Sequence, residues 1–148
     1  MKKKSGLTGV MLLVTVLILA ACGAKSGGDS GAEGGGNGKI RIVTTIAQIA
    51  DPLSVIGGDR TDVQSLMGPG VDPHLYSATH GDIQKLEQAD LVFYNGLHLE
   101  ANMAEVFAEI GKTKPAMAIG EAVSRDKLLT DEEGAVDPHV WFDVDLWK

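Results

Sequence analysis

One cysteine stands in 148 residues, so an intrachain disulfide is excluded and the thiol needs another role. Lysine and arginine are outnumbered, 13 against 20 acidic side chains, and a net charge of -7 excludes a nucleic-acid binder. The apolar run at residues 10–20 is too short to span a bilayer comfortably. No G-x-S-x-G elbow is present to carry a serine nucleophile. With aromatics at 5% and no tandem repeats, nothing suggests a dedicated surface for protein partners.

What is present begins with an export signal. Lys2, Lys3 and Lys4 precede the apolar run, the order of a signal peptide, and the stretch Leu19-Ala20-Ala21-Cys22 resembles a bacterial lipobox. Residues 1–21 are therefore expected to be a removed lipoprotein signal peptide, and Cys22 the lipidated N-terminus. Anchoring by two or more acyl chains is stable where one is marginal. Processing leaves 10 basic against 20 acidic side chains, a surface that draws cations toward it. The glycine-rich residues 23–38 cannot bury a core. As a flexible tether they span roughly 20 to 24 Å, so residues 22–38 are read as lipid attachment and tether.

The chemistry-bearing signal is a repeat. Gly68-Pro69-Gly70-Val71-Asp72-Pro73-His74-Leu75-Tyr76 is echoed by Val136-Asp137-Pro138-His139-Val140-Trp141-Phe142. In each copy proline fixes its own φ and pushes the preceding aspartate out of the helical region, so the histidine leaves a stiff backbone. A preset neutral imidazole is a good ligand for a first-row transition ion. His74 and His139 are thus the candidate metal ligands. Asp72 and Asp137 either bond the nearby backbone or orient the imidazole, and the sequence leaves both open.

From residue 39 onward strands and helices alternate. Residues 39–45, 62–67, 91–94 and 116–119 read as strands. A helix over residues 46–56 carries Pro52 near its first turns and is stopped by Gly57 and Gly58. Another starts at residues 77–79, with Thr79 and Asp82 as a capping pair. Met103, Val106, Phe107 and Ile110 form a helical stripe read as core packing. Successive βα units imply a parallel sheet flanked by helices, with ligands outside the C-terminal strand ends. Residues 127–136 read as an acidic loop, and residues 141–148 as the start of a helix with no closing signal. The expected organisation is a metal-binding α/β lobe at 39–140, followed at 141–148 by a linking helix that is cut short.

Four segments carry a family resemblance: residues 43–51 (V-T-T-I-A-Q-I-A-D), 65–76 (S-L-M-G-P-G-V-D-P-H-L-Y), 94–100 (Y-N-G-L-H-L-E) and 137–142 (D-P-H-V-W-F). In this order they resemble the metal-specific substrate-binding lipoproteins of bacterial ABC transporters, most of all the manganese type. The resemblance implies two α/β lobes joined by a long helix, with the ion between them. It implies two histidine ligands matching His74 and His139, and two further ligands from a second lobe that this sequence does not include. It implies a monomer on the outer face of the cell membrane that captures Mn2+, alternatively Zn2+ or Fe2+, and delivers it to a permease. Residues 119–136 contain no histidine, unlike the histidine-rich loop of a zinc importer.

Two other classes stay open. A lipid-anchored metallohydrolase would need a third ligand and a general base such as Glu100. An adhesin role, ascribed to such lipoproteins, has no feature here to argue from. His98 rivals the two ligand candidates, since it also follows a strand at the ligand edge. His80, in a first helical turn, is expected to face water. Glu100, Trp141 and Asp143 are expected to cap, pack or be solvated.

Overall fold

A computed structural model describes residues 38–148. The signal peptide, the lipidated Cys22 and the tether expected before that point lie outside the described residues. Four strands, β1 (Ile40–Thr44), β2 (Thr61–Ser65), β3 (Leu91–Tyr94) and β4 (Ala116–Ala118), form one sheet in the order β2-β1-β3-β4. Every pairing is parallel, as the βα alternation requires. β2 was expected to reach residue 67. Its backbone does carry on, because Leu66 and Met67 still donate to the carbonyls of Thr44 and Thr45 at 2.8 and 2.9 Å.

Helices α1 (Ala47–Gly57), α2 (His80–Gln88) and α3 (Ala104–Ile110) connect the strands, and the short α4 (Val144–Trp147) comes last. α1 packs on β1 and β2, while α2 packs on β1 and α3. Ile49, Leu86, Val92, Leu99 and Met103 are the fully buried apolar side chains between them. Met103, Phe107 and Ile110 are buried as the helical stripe predicts, and the Phe107 ring stacks on Tyr94 with centroids 4.1 Å apart. None of the described helices is long and apolar enough to cross a membrane.

Two local expectations gain detail and a third, the start of the last helix, is corrected. Pro52 sits in the second turn of α1, where its ring cannot bond the carbonyl of Gln48; Gln48 is exposed, so water can meet that carbonyl. The acidic loop is a small closed turn: Thr130 and Val136 bridge antiparallel, and Asp131 Oδ1 accepts the N–H groups of Glu133 and Ala135. Residues 140–142 form a 3-10 turn, and the helix begins only at Val144, because Asp143 Oδ1 accepts the Asp145 N–H at 2.8 Å and caps it. At the end of α1, a Cβ on Gly57 would lie 2.0 Å from Thr61 Oγ1, so this residue permits β2 to start directly against the helix.

The capping pair before α2 is complete, and it also anchors the loop that carries His74. Thr79 Oγ1 accepts the Asp82 N–H, and Asp82 Oδ2 accepts the Thr79 N–H at 3.0 Å. The Tyr76 hydroxyl, two residues past His74, donates to the same carboxylate at 2.6 Å. Burial alone would raise the Asp82 carboxyl; the bonds from Thr79, Tyr76 and Lys85 outweigh it and bring it down to about 2. Burial, and then the bond to that carboxylate, pushes the Tyr76 hydroxyl up to about 12. The stabilisation from ionised Asp82 is complete above about pH 4, where an unfolded carboxyl is already ionised, and is lost as pH falls toward 2. Asp82→Asn is expected to cost roughly 1 to 2 kcal/mol at neutral pH and to flatten the loss of stability between about pH 4 and 2, read by denaturant melts across that range.

Candidate metal centre

The first Asp-Pro-His segment lies in the loop that leaves the C-terminal end of β2, and the second in the long segment after β4, beyond two 3-10 turns and the Thr130–Val136 bridge. β2 and β4 are the two outer strands of the sheet, so their loops lean inward from opposite sides. In each the aspartate turns back on the histidine. Asp72 Oδ1 accepts the His74 N–H at 2.9 Å, and Asp137 Oδ1 accepts the His139 N–H at 3.0 Å. The sequence repeat is thus a repeat of backbone geometry, in which a short carboxylate and a rigid proline set the direction of the imidazole.

The two rings meet. His74 Nε2 lies 3.2 Å from His139 Nε2, and the ring centroids are 5.2 Å apart with planes tilted by 58°. Nitrogens 3.2 Å apart, each about 2.1 Å from one shared ion, would subtend about 100° at it, an angle ordinary coordination geometries accept. His74 is exposed and His139 half-buried. The cleft they share, of about 270 Å3, is lined also by Ile46, Met67, Pro69 and Trp141. It sits over the end of β1, beside the crevice where the strand order changes direction.

The copies differ in one respect that the sequence left open. Asp137 does both things: Oδ1 takes the backbone N–H and also lies 2.6 Å from His139 Nδ1. Those two bonds, backbone first, hold its carboxyl below the usual carboxylate range. Asp72 bonds only the backbone. With its Nδ1 proton committed to Asp137, His139 presents a bare Nε2 lone pair to the cleft. Trp141 stands edge-on to the same imidazole at 5.2 Å and 72°.

The remaining candidates lie elsewhere. His98 is exposed, on a turn where Gly96, Leu97 and His98 all have positive φ, and it lines hollows with Tyr94 and Glu121 rather than the His74–His139 cleft. His80 is the exposed first residue of α2, with Nε2 3.3 Å from Gln84 Nε2. Asp143 caps α4. Glu100 is 4% exposed, and its oxygens accept the Thr45 hydroxyl at 2.6 Å and the N–H groups of Asn95 and Gly96 at 2.9 and 3.1 Å. A carboxylate so engaged is withdrawn from the base chemistry a hydrolase would ask of it. Among the described residues no cluster of three or more His, Cys, Asp or Glu side chains could enclose an ion. Sequence reasoning missed Asn95, read only as the end of a strand; it is buried and bonds the Pro138 carbonyl at 3.0 Å. No local pattern distinguishes it from any other Asn-Gly turn.

Known proteins resemble this chain over most of its length. The family described as ZnuA, zinc-uptake complex component A, periplasmic, matches residues 42–148. The manganese-binding lipoprotein MntA of Bacillus subtilis is 45% identical over 145 residues, covering 97% of this chain and 45% of that protein. The zinc-binding protein TroA of Treponema pallidum is 49% identical over 112 residues, 76% of this chain and 36% of TroA. The solved structure of the periplasmic TroA superposes with a TM-score of 0.72 at 50% identity, covering 74% of this chain and 40% of the other. The Fe(III)-bound YtgA of Chlamydia trachomatis superposes at 0.64 and 31%, over 74% and 39%. The chain spans about half the length, or less, of the relatives it matches. With that match across residues 42–148 and the parallel sheet in common, the chain belongs to the ZnuA family of metal-binding, substrate-binding proteins.

Proposed function

We propose that this chain supplies one side of a binding site for a divalent transition-metal ion in an extracytoplasmic solute-binding protein, which captures the ion and passes it to an ABC permease. The observation that carries the reading is the approach of His74 Nε2 and His139 Nε2 to 3.2 Å across 65 residues of sequence. Capture and release need exchangeable ligands and no covalent step, and two neutral imidazoles are suited to that. The favoured cargo is Mn2+, on the 45% identity to a manganese-binding lipoprotein over almost the whole chain. Zn2+ and Fe2+ are the alternatives, the first favoured by the zinc-binding name of TroA and the second by the iron in the YtgA structure. Cys22 is the proposed lipid attachment, residues 23–38 the tether, and the working form a monomer beside the membrane on its outer face.

The donor set has a consequence for affinity. Two imidazoles bring no negative charge, whereas Mn2+ favours carboxylate oxygen. Tight manganese binding therefore calls for additional ligands outside the pair, which a second lobe would provide in the bilobed arrangement the family resemblance implies. Residues 23–148 by themselves are expected to bind Mn2+ weakly; calorimetry showing tight binding to that segment would overturn the assignment of two ligands.

In the intact protein, His74→Ala and His139→Ala are each expected to reduce Zn2+ or Mn2+ affinity by at least tenfold while leaving the melting midpoint nearly unchanged, since neither ring is buried. Competition against a chromogenic chelator measures the first and calorimetric unfolding the second. Asp137→Asn is expected to cost about 10- to 100-fold in affinity, because it replaces the carboxylate that orients the His139 ring by an uncharged, weaker acceptor. Asp72→Asn should cost clearly less, having no ring contact to lose. Equal losses in the two aspartate variants would contradict the asymmetry between the copies.

A further inference from the structure

Asn95 follows directly on β3 at 0% exposure, and its Nδ2 donates to two carbonyls, those of Gly96 and Pro138, each at 3.0 Å. Both partners only accept, which fixes the amide with its nitrogen facing them. The Pro138 carbonyl belongs to the peptide from which His139 departs, so this bond reaches across 43 residues to the base of one imidazole. Asn95 Oδ1, by contrast, is buried with no hydrogen-bond partner among the described residues. A bare buried acceptor is costly, and an apolar side chain of the same shape would avoid it. The two donors, not the fit of the side chain, account for an asparagine at this place.

Asn95 is itself held from behind. Its N–H and that of Gly96 converge on Glu100, whose carboxylate also takes the Thr45 hydroxyl from the end of β1. Between Asn95 and Glu100 the chain makes a left-handed turn, with φ of 75°, 52° and 64° at Gly96, Leu97 and His98. Two consecutive non-glycine residues in that region are strained, and the buried carboxylate ties down the backbone immediately before them. A continuous polar link thus runs from Thr45 through Glu100 and Asn95 to Pro138. The peptide ahead of His74 has no counterpart: that loop is anchored two residues later, by the Tyr76 hydroxyl on Asp82, and the His74 carbonyl receives only a long, exposed contact from Asn102 Nδ2 at 3.4 Å.

We propose that Asn95 is the positioning residue of this metal site. It fixes the peptide ahead of His139, making His139 the more rigid ligand, while His74 closes on the ion from a loop whose anchor, the Tyr76–Asp82 bond, lies after the histidine. The proposal rests on the metal-capture reading above and adds to it a residue that never touches the ion.

The experiment is a set of double-mutant cycles in the intact protein, with Zn2+ affinity read by chelator competition and folding by thermal melts. Asn95→Leu keeps the branching and removes the donors. It is expected to weaken Zn2+ binding about tenfold in the parent and in the His74→Ala background, and less than about twofold where His139→Ala has already removed the ligand it serves. A residue with a merely structural role would cost the same in all three backgrounds, and that result, or unchanged affinity in a folded Asn95→Leu protein, overturns the proposal. If neither histidine variant alters Zn2+ affinity, the metal-capture reading itself has failed, an outcome plainly different from additive cycles. Should Asn95→Leu not fold, Thr45→Val removes the far end of the link at similar volume. A loss of a few-fold confined to backgrounds that retain His139 supports the proposal; no loss, or an equal loss in every background, overturns it.

Discussion

The structure depends on one small constraint, an aspartate oxygen closing on the backbone N–H two residues later with proline locked between them. At Asp72 and at Asp137 this contact, 2.9 and 3.0 Å long, makes a turn that neither extends into a helix nor joins the sheet. Each turn sets the direction of an imidazole. The strand order β2-β1-β3-β4 then puts the two turns on outer strands, so they reach over the centre of the sheet from both flanks. Parallel connectivity brings all strand ends to one edge, and the repeated turn decides what that edge presents.

Beneath the cleft lies a buried carboxylate with no cation beside it among its hydrogen-bond partners. Glu100 is matched instead by one hydroxyl and two peptide N–H groups. Hydrogen bonds of this kind offset the hydration that a polar side chain loses on burial. The arrangement has a structural outcome: the end of β1, the end of β3 and the loop after β4 become one hydrogen-bonded unit. The sheet edge below the histidines is thereby stiffer than loops at strand ends generally are. A preset site of this kind loses less freedom on engaging an ion.

Much of this was legible in the sequence, for physical reasons that differ from element to element. The strands and helices were readable because burial imposes periodicities of 2 and 3.6, and strand boundaries fell within one or two residues. The Thr79–Asp82 cap was readable because both halves lie within one turn of chain. His74 and His139 stood out because an identical four-residue frame occurs twice. Contacts joining residues far apart left no such trace. The bond from Asn95 to Pro138 spans 43 positions, and the Glu100–Thr45 bond spans 55. The division of labour between Asp72 and Asp137 was hidden for another reason. The two sit in the same local sequence, and only the packing around each ring makes one carboxylate reach Nδ1 and leaves the other short of it.

The edge-on contact between Trp141 and His139 has a consequence of its own. An indole whose centroid lies 5.2 Å from that of an imidazole is within reach of that ring's field, and its excited state is sensitive to nearby charge. A cation settling on Nε2 would therefore tint the emission of a residue that never touches it. Since the chain has only two tryptophans, the glow of one carries a readable share of the total signal, and the molecule arrives with its own dye already in place.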